Sequence, residues 1–162
     1  MDIQDRLSAE ELMLKAIRRI IGPAEGEGPS APAYERRQLH LAVAVLLHEA
    51  RRADLVEGGG ESDAAERALG EIFGLERAEC TELLAQGRAR AEQLTSFYAP
   101  VSVIKRDWSL PERIRLIEHL WRVSFADGRL DVHEDHYVRK IAHLLYVPNT
   151  QSMLARNRAR SS

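Results

Sequence analysis

Among its 162 residues the chain has a single cysteine, Cys80. One thiol excludes an intramolecular disulfide and suits a reducing compartment. Cys80 lies in "AECTELLAQG", where a helical period turns it inward and no base stands beside it in sequence, so it is read as core rather than nucleophile. Long apolar runs are also missing. The longest, "LAVAVLL" from Leu41 to Leu47, is far shorter than the ~20 residues a membrane-spanning helix requires. The N-terminal "MDIQDRLSAEELMLKAIRRII" places acids where a secretory signal carries positive charge, so a cytoplasmic protein is expected. No excess of charge exists either. The 23 basic residues face 25 acidic ones, for a net charge of −2, which excludes the broad basic footprint of a nucleic-acid binder. Arg156, Arg158 and Arg160 are a local exception and read as a solvated helix end. No run of Val, Ile and Thr alternates with period two, so no sheet is expected.

What is present is helical periodicity, with enough apolar residues (44%) to build a core unaided by staples. "SAEELMLKAIRRII" opens with Ser8 and carries Glu11 three residues on, a capping-box pattern, and Gly22-Pro23 ends it. Residues 1–21 are thus expected to form an amphipathic helix. "GPAEGEGPSAPA", residues 22–33, contains nothing that could build a core and is read as a flexible linker. Residues 34–162 form the expected helical domain. Its first helix runs from Tyr34 to about Asp54 and is apolar almost all round, hence central. Helices over Asp63 to Phe73 and about Arg77 to Phe97 follow, and Pro100 closes that half. "VSVIKRD" reads as an extended connection. Ser109, with Pro111 and Glu112, opens the next helix; another spans Asp131 to Tyr146, and Pro148 begins a last one ending near Arg158.

The chain repeats itself. Ala53-Asp54 matches Ala126-Asp127, and Asp63-x-x-Glu66 matches Asp131-x-x-Glu134. Each copy follows a long apolar helix and precedes an amphipathic one. The aspartates are separated by "LVEGGGES" in the first copy and by "GRL" in the second, so the first carries a glycine-rich insertion. Two related helical hairpins packed about a pseudo-two-fold axis are expected. Ala126-Asp127-Gly128-x-Leu130-Asp131-x-x-Glu134, between "LIEHLWRVSF" and "RKIAHLLYV", resembles the C-terminal half of TerB-like proteins, the tellurite-resistance protein B family. "LAVAVLLHEARRAD" and "ERALGEIFGL" resemble its N-terminal half, and the resemblance runs from Tyr34 to Arg158. It implies an all-α fold of about seven helices and a bacterial cytoplasmic protein tied to tellurite resistance, other stress responses or metal sensing. It also implies acidic residues suspected of holding divalent cations, and no catalysis. The sequence departs from the family at Leu55, which stands where glycine is expected.

The acidic residues admit two readings. In one, Asp131 is an N-cap that Glu134 reciprocates, Gly128 supplies the left-handed residue ending the previous helix, and Asp63 and Glu66 repeat the capping arrangement. In the other, Asp127 and Asp54 sit at helix C-termini, where the macrodipole disfavours an anion by ~0.3–1 kcal/mol. A cation held by Asp127, Asp131 and Glu134, joined across the pseudo-axis by Asp54, Asp63 and Glu66, would remove that cost. Hard oxygen ligands favour Ca2+ or Mg2+, in a geometry other than an EF-hand. His133 and His136 read as surface residues, since neither cysteines nor an HExxH spacing support zinc. His40, His48, His119 and His143 read as solvated or boundary positions, and the carboxylates as exposed.

An enzyme is not expected. "EGGGES" lacks the Lys-Ser/Thr of a phosphate loop, and exposed carboxylates would not acquire the separated pKa values that acid-base chemistry needs. The expected function is a non-enzymatic stress-response module that binds a divalent cation and partner proteins. The alternative is a pure interaction or scaffold module whose acids only cap helices, with residues 1–21 docking on a partner or a membrane surface.

Overall fold

The computed structural model describes residues 31–52, 59–126, 128 and 130–162, with the side chains of 59–62 left aside. Glu35–Ser162 form a compact unit. Among the described residues there are seven α-helices and no strand: α1 (Ala31–Arg52), α2 (Gly59–Phe73), α3 (Arg77–Ala91), α4 (Tyr98–Asp107), α5 (Leu110–Ser124), α6 (Val132–Leu144) and α7 (Asn149–Arg160). The all-α expectation holds. The expected helix over residues 1–21 and the Asp54 and Asp127 positions lie outside the described residues. None of the described helices is long and apolar enough to cross a membrane.

Helix α1 occupies the core. Every residue from Ala42 to His48 is buried, and Val43, Ala44, Leu46 and Leu47 are wholly so. A helix apolar on all sides is stable only when other helices cover it all round. One neighbour is α3, whose Gly87 lies against Ala44; a Cβ there would fall 2.8 Å from the Ala44 carbonyl carbon. Another is α6, where the buried Tyr137 hydroxyl donates to the Leu46 carbonyl at 2.7 Å. A third is α2, whose Phe73 ring meets His40 at 3.9 Å between centroids. The second half is built on α5, which packs on α2, α6 and α7, with Trp121, Leu116, Ile117 and Leu120 fully buried.

Several boundaries differ from the sequence reading. Helix α1 begins at Ala31, so Ala31, Pro32 and Ala33 are its first turn rather than linker. Proline is tolerated there because the first N–H groups of a helix have no intrahelical acceptor. The same physics explains α4. Residues 98–107 form a helix, not an extended connection, and Pro100 sits in its first turn instead of closing the preceding half. The buried pair Val101 and Ile104 stand three apart, a helical spacing that the β-branched composition of "VSVIKRD" masks. Helix α3 stops at Ala91, short of Phe97.

Candidate functional site

The second acidic junction is ordered by backbone geometry. Phe125 caps the end of α5, and the Gly128 N–H donates to the Phe125 carbonyl at 2.9 Å. Gly128 has φ +82°, the left-handed conformation in which a side chain would be strained. The chain then turns into α6 through Asp131, which has φ −75° and ψ 154° and forms a capping box with Glu134. The Asp131 N–H donates to Glu134 Oε2 at 3.0 Å. Both residues do what the capping reading requires. The expected exposure does not hold for Glu134, which has no solvent-accessible surface and ranks among the largest fully buried side chains. A side chain at N3 reaches back beneath the N-cap, and here that direction is the core. Asp131 is half-buried, and His133 and His136 are exposed.

The first junction is built differently. Helix α2 starts at Gly59, so Asp63 lies within its second turn and cannot be an N-cap. The cap expected at Asp63 and Glu66 is therefore corrected: the inserted segment extends the helix by a turn before Asp63. Glycine's cost of about 1 kcal/mol applies to helix interiors and does not prevent this at a first turn. Asp63 and Glu66 instead face Arg77 of α3, at 3.8 and 3.9 Å. These are long pairs to an exposed guanidinium and carry small energetic weight, with Asp63 exposed and Glu66 half-buried. Among the described residues no three His, Cys, Asp or Glu side chains converge as metal ligands. Asp63 and Glu66 are thus not joined to Asp131 and Glu134 in one cluster, while Asp54 and Asp127 lie outside the described residues.

Asp63 also lines a cleft of about 780 Å³ between α2 and α5, shared with Glu71, His119, Arg122 and Ala126. Here the sequence reading of His119 is overturned. The ring is buried, not solvated. Burial, and then the nearby Arg122, lower its pKa, while Glu71 partly opposes them. The imidazole is neutral near pH 7, so its 3.9 Å approach to Glu71 is no ion pair, and it is too long for a hydrogen bond. Arg122 carries the charge instead, reaching Glu71 at 3.6 Å and Glu118 at 2.7 Å, and Arg158 of α7 completes the set on Glu118 at 2.7 Å. Glu71, Glu118, His119 and Arg122 thus tie α2, α5 and α7 together. Sequence periodicity missed them because polar residues on a helix are assigned to solvent, whereas α5 beyond Leu116 buries His119 and Ser124 along with its apolar residues. His48 is buried as well, against expectation, and its pKa is lowered by burial and by Arg51, Arg88 and Arg52.

The family profile of tellurite resistance protein TerB matches residues 40–157. The chain belongs to the TerB family. The match takes in both junctions and all of the core built on α1 and α5, so the resemblance carried by Ala126–Glu134 is borne out. No curated protein and no solved structure matches the chain. Within this TerB fold, the junction that keeps the family pattern is the one that buries its glutamate.

Proposed function

We propose that this TerB family member is a non-enzymatic, cytoplasmic stress-response module whose second acidic junction binds a divalent cation, Ca2+ or Mg2+, and whose surface binds partner proteins. The observation that carries the reading is the complete burial of Glu134 beside half-buried Asp131, directly after the sequence that bears Asp127. Glu134 already accepts the Asp131 N–H, and a cation there would further offset the cost of placing a carboxylate in the core. Oxygen donors of this kind suit hard cations. A bound ion would draw the end of α5 towards the start of α6 and so set the angle between them.

A second reading is favoured by a different observation. Asp131 and Glu134 form a complete capping box, and Asp63 and Glu66 face Arg77. The described acids are then structural, and the chain is a scaffold or interaction module alone. An NMR titration of chelator-stripped protein with calcium, then magnesium and zinc, separates the two. Saturable amide shifts confined to Gly128, Asp131, Glu134 and the segment 54–66 are expected. An unchanged spectrum at millimolar cation would leave the scaffold reading.

A further inference from the structure

A cleft of about 630 Å³ opens between the C-terminal end of α1, the turn before α4, and α6. Its floor is apolar and aromatic, with Phe97, Val101 and Leu144, and its lip carries Tyr98 and Tyr146, which are 78% and 72% exposed. The charged or titratable groups facing it are Glu49, Arg52, Lys105, Lys140 and His143. Among the described residues Glu49 is the one carboxylate there, and it already pairs with Arg52 at 3.5 Å. Lys105 and Lys140 have no carboxylate partner among the described residues. Each ammonium is held over an aromatic ring, Lys105 over Tyr146 at 4.4 Å and Lys140 over Phe97 at 5.5 Å. Lys140 stands mid-helix in α6, away from the helix ends whose dipoles recruit basic residues.

Tyr146 adds a second, independent observation. It is the one non-glycine with positive φ (54°) among the described residues. It occupies the left-handed position of a Schellman turn, with its N–H donating to the His143 carbonyl and the Val147 N–H to the Ala142 carbonyl. Glycine fits that position without strain, whereas tyrosine does not. A strained, exposed aromatic at the lip of a concavity calls for a reason beyond folding.

We infer that this cleft, through Lys105, Lys140, Phe97 and Tyr146, docks a segment of a partner protein that carries acidic residues around one apolar side chain. The apolar side chain fills the concavity, and the flanking carboxylates meet the two ammonium groups. Tyrosines on the lip add contact area at small conformational cost, as at protein interfaces generally. A bilayer presents a flat surface and leaves a concavity of this size unfilled, which favours a peptide. The inference rests on the protein-binding half of the proposed function and is separate from the cation site.

Fluorescence anisotropy on the full chain tests it, with short labelled peptides bearing glutamates around a single phenylalanine, leucine or tryptophan. Matched peptides with glutamine or lysine in place of glutamate, and vesicles of phosphatidylserine and phosphatidylcholine, serve as comparisons. Saturable binding of the acidic peptides is expected, weakening as salt rises. It should weaken about tenfold in the Lys105→Gln/Lys140→Gln double variant, which alters only partly or fully exposed side chains. Tyr98→Ala should weaken it without changing the salt dependence. Acidic-peptide binding that ignores the lysine substitutions overturns the inference, as does uptake of vesicles in place of peptides. Equal binding of glutamine or lysine peptides overturns it while leaving a protein-binding module intact. Binding of no peptide at all counts against both.

Discussion

The two junctions share a spacing, Asp-x-x-Glu, and differ in everything that the spacing is supposed to settle. In the second, Asp131 stays outside α6 in extended conformation and Glu134 turns under it into the core. In the first, α2 begins four residues before Asp63, so the same pair becomes an exposed Asp63 and a half-buried Glu66 within the helix, both facing Arg77. The cause is the length of chain between the aspartates, eight residues in one copy and three in the other. With three, the chain has only enough length to turn, and the acid must cap. With eight, the helix takes in Gly59 to Ser62 and Asp63 falls inside it. A capping signature therefore specifies a cap only when the connection before it is short.

The largest expected effect tests that contrast at the glutamates. Glu134→Ala removes a fully buried side chain, leaves a cavity and strips the Asp131 N–H of its acceptor, for a loss of about 2–3 kcal/mol. Glu66→Ala removes a half-buried side chain and its 3.9 Å pair with the exposed Arg77, and should cost about 1 kcal/mol. Urea unfolding of both variants measures the difference. Equal losses would mean that the two copies are energetically equivalent and the contrast is superficial.

Next in size are the aspartates. Asp131→Ala should cost about 1 kcal/mol, as for other N-caps, and Asp63→Ala almost nothing. The comparison sharpens if residues 56–60 are deleted from the first connection, giving it the length of the second. Asp63 is then expected to become the cap, and Asp63→Ala in that shortened background should cost about 1 kcal/mol as well. An unchanged, negligible cost would show that something other than connection length distinguishes the copies.

How far the sequence carried these distinctions varied by element. The ends of α5 and the start of α6 were legible because Ser109-x-x-Glu112 and Asp131-x-x-Glu134 follow short connections, and both boxes form. The central place of α1 was legible because "LAVAVLL" leaves no polar face to expose. Helix α4 was not, since proline and β-branched residues are weak helix formers whose preference packing overrides when Val101 and Ile104 are buried together. The burial of Glu134 and His119 was equally hidden. Polar residues on a helix are assigned outward by default, and only the neighbouring α2, α5 and α7 decide otherwise. The family pattern at Ala126–Glu134 and the core identity of Cys80 needed no structure to be seen.

A smaller effect should appear with pH, at the cleft between α2 and α5. The pKa values of His119 and His48 are lowered in the folded protein, mainly by burial. The unfolded chain, with histidines near 6.5, then binds protons that the native state refuses. Their contribution is whole above pH 6.5 and is lost as pH falls from there through the lowered folded values. The urea midpoint should therefore decline between about pH 7 and 5. His119→Gln should flatten that decline. An identical slope in the His119 variant would place the proton uptake elsewhere.

The smallest expected effect concerns Arg77. Its guanidinium is 83% exposed and holds Asp63 and Glu66 only at 3.8 and 3.9 Å, so Arg77→Gln should change stability by no more than about 0.5 kcal/mol. Its value lies in what it releases. If the first junction contributes ligands to a cation held at the second, removing this competing charge should tighten calcium binding. If Asp63 and Glu66 only face Arg77, calcium affinity should be the same in both proteins. A tighter site would join the two junctions in one cation site. An unchanged one would confine cation chemistry to Asp127, Asp131 and Glu134, and leave the first copy as a repeat in sequence whose insertion has freed it from that role.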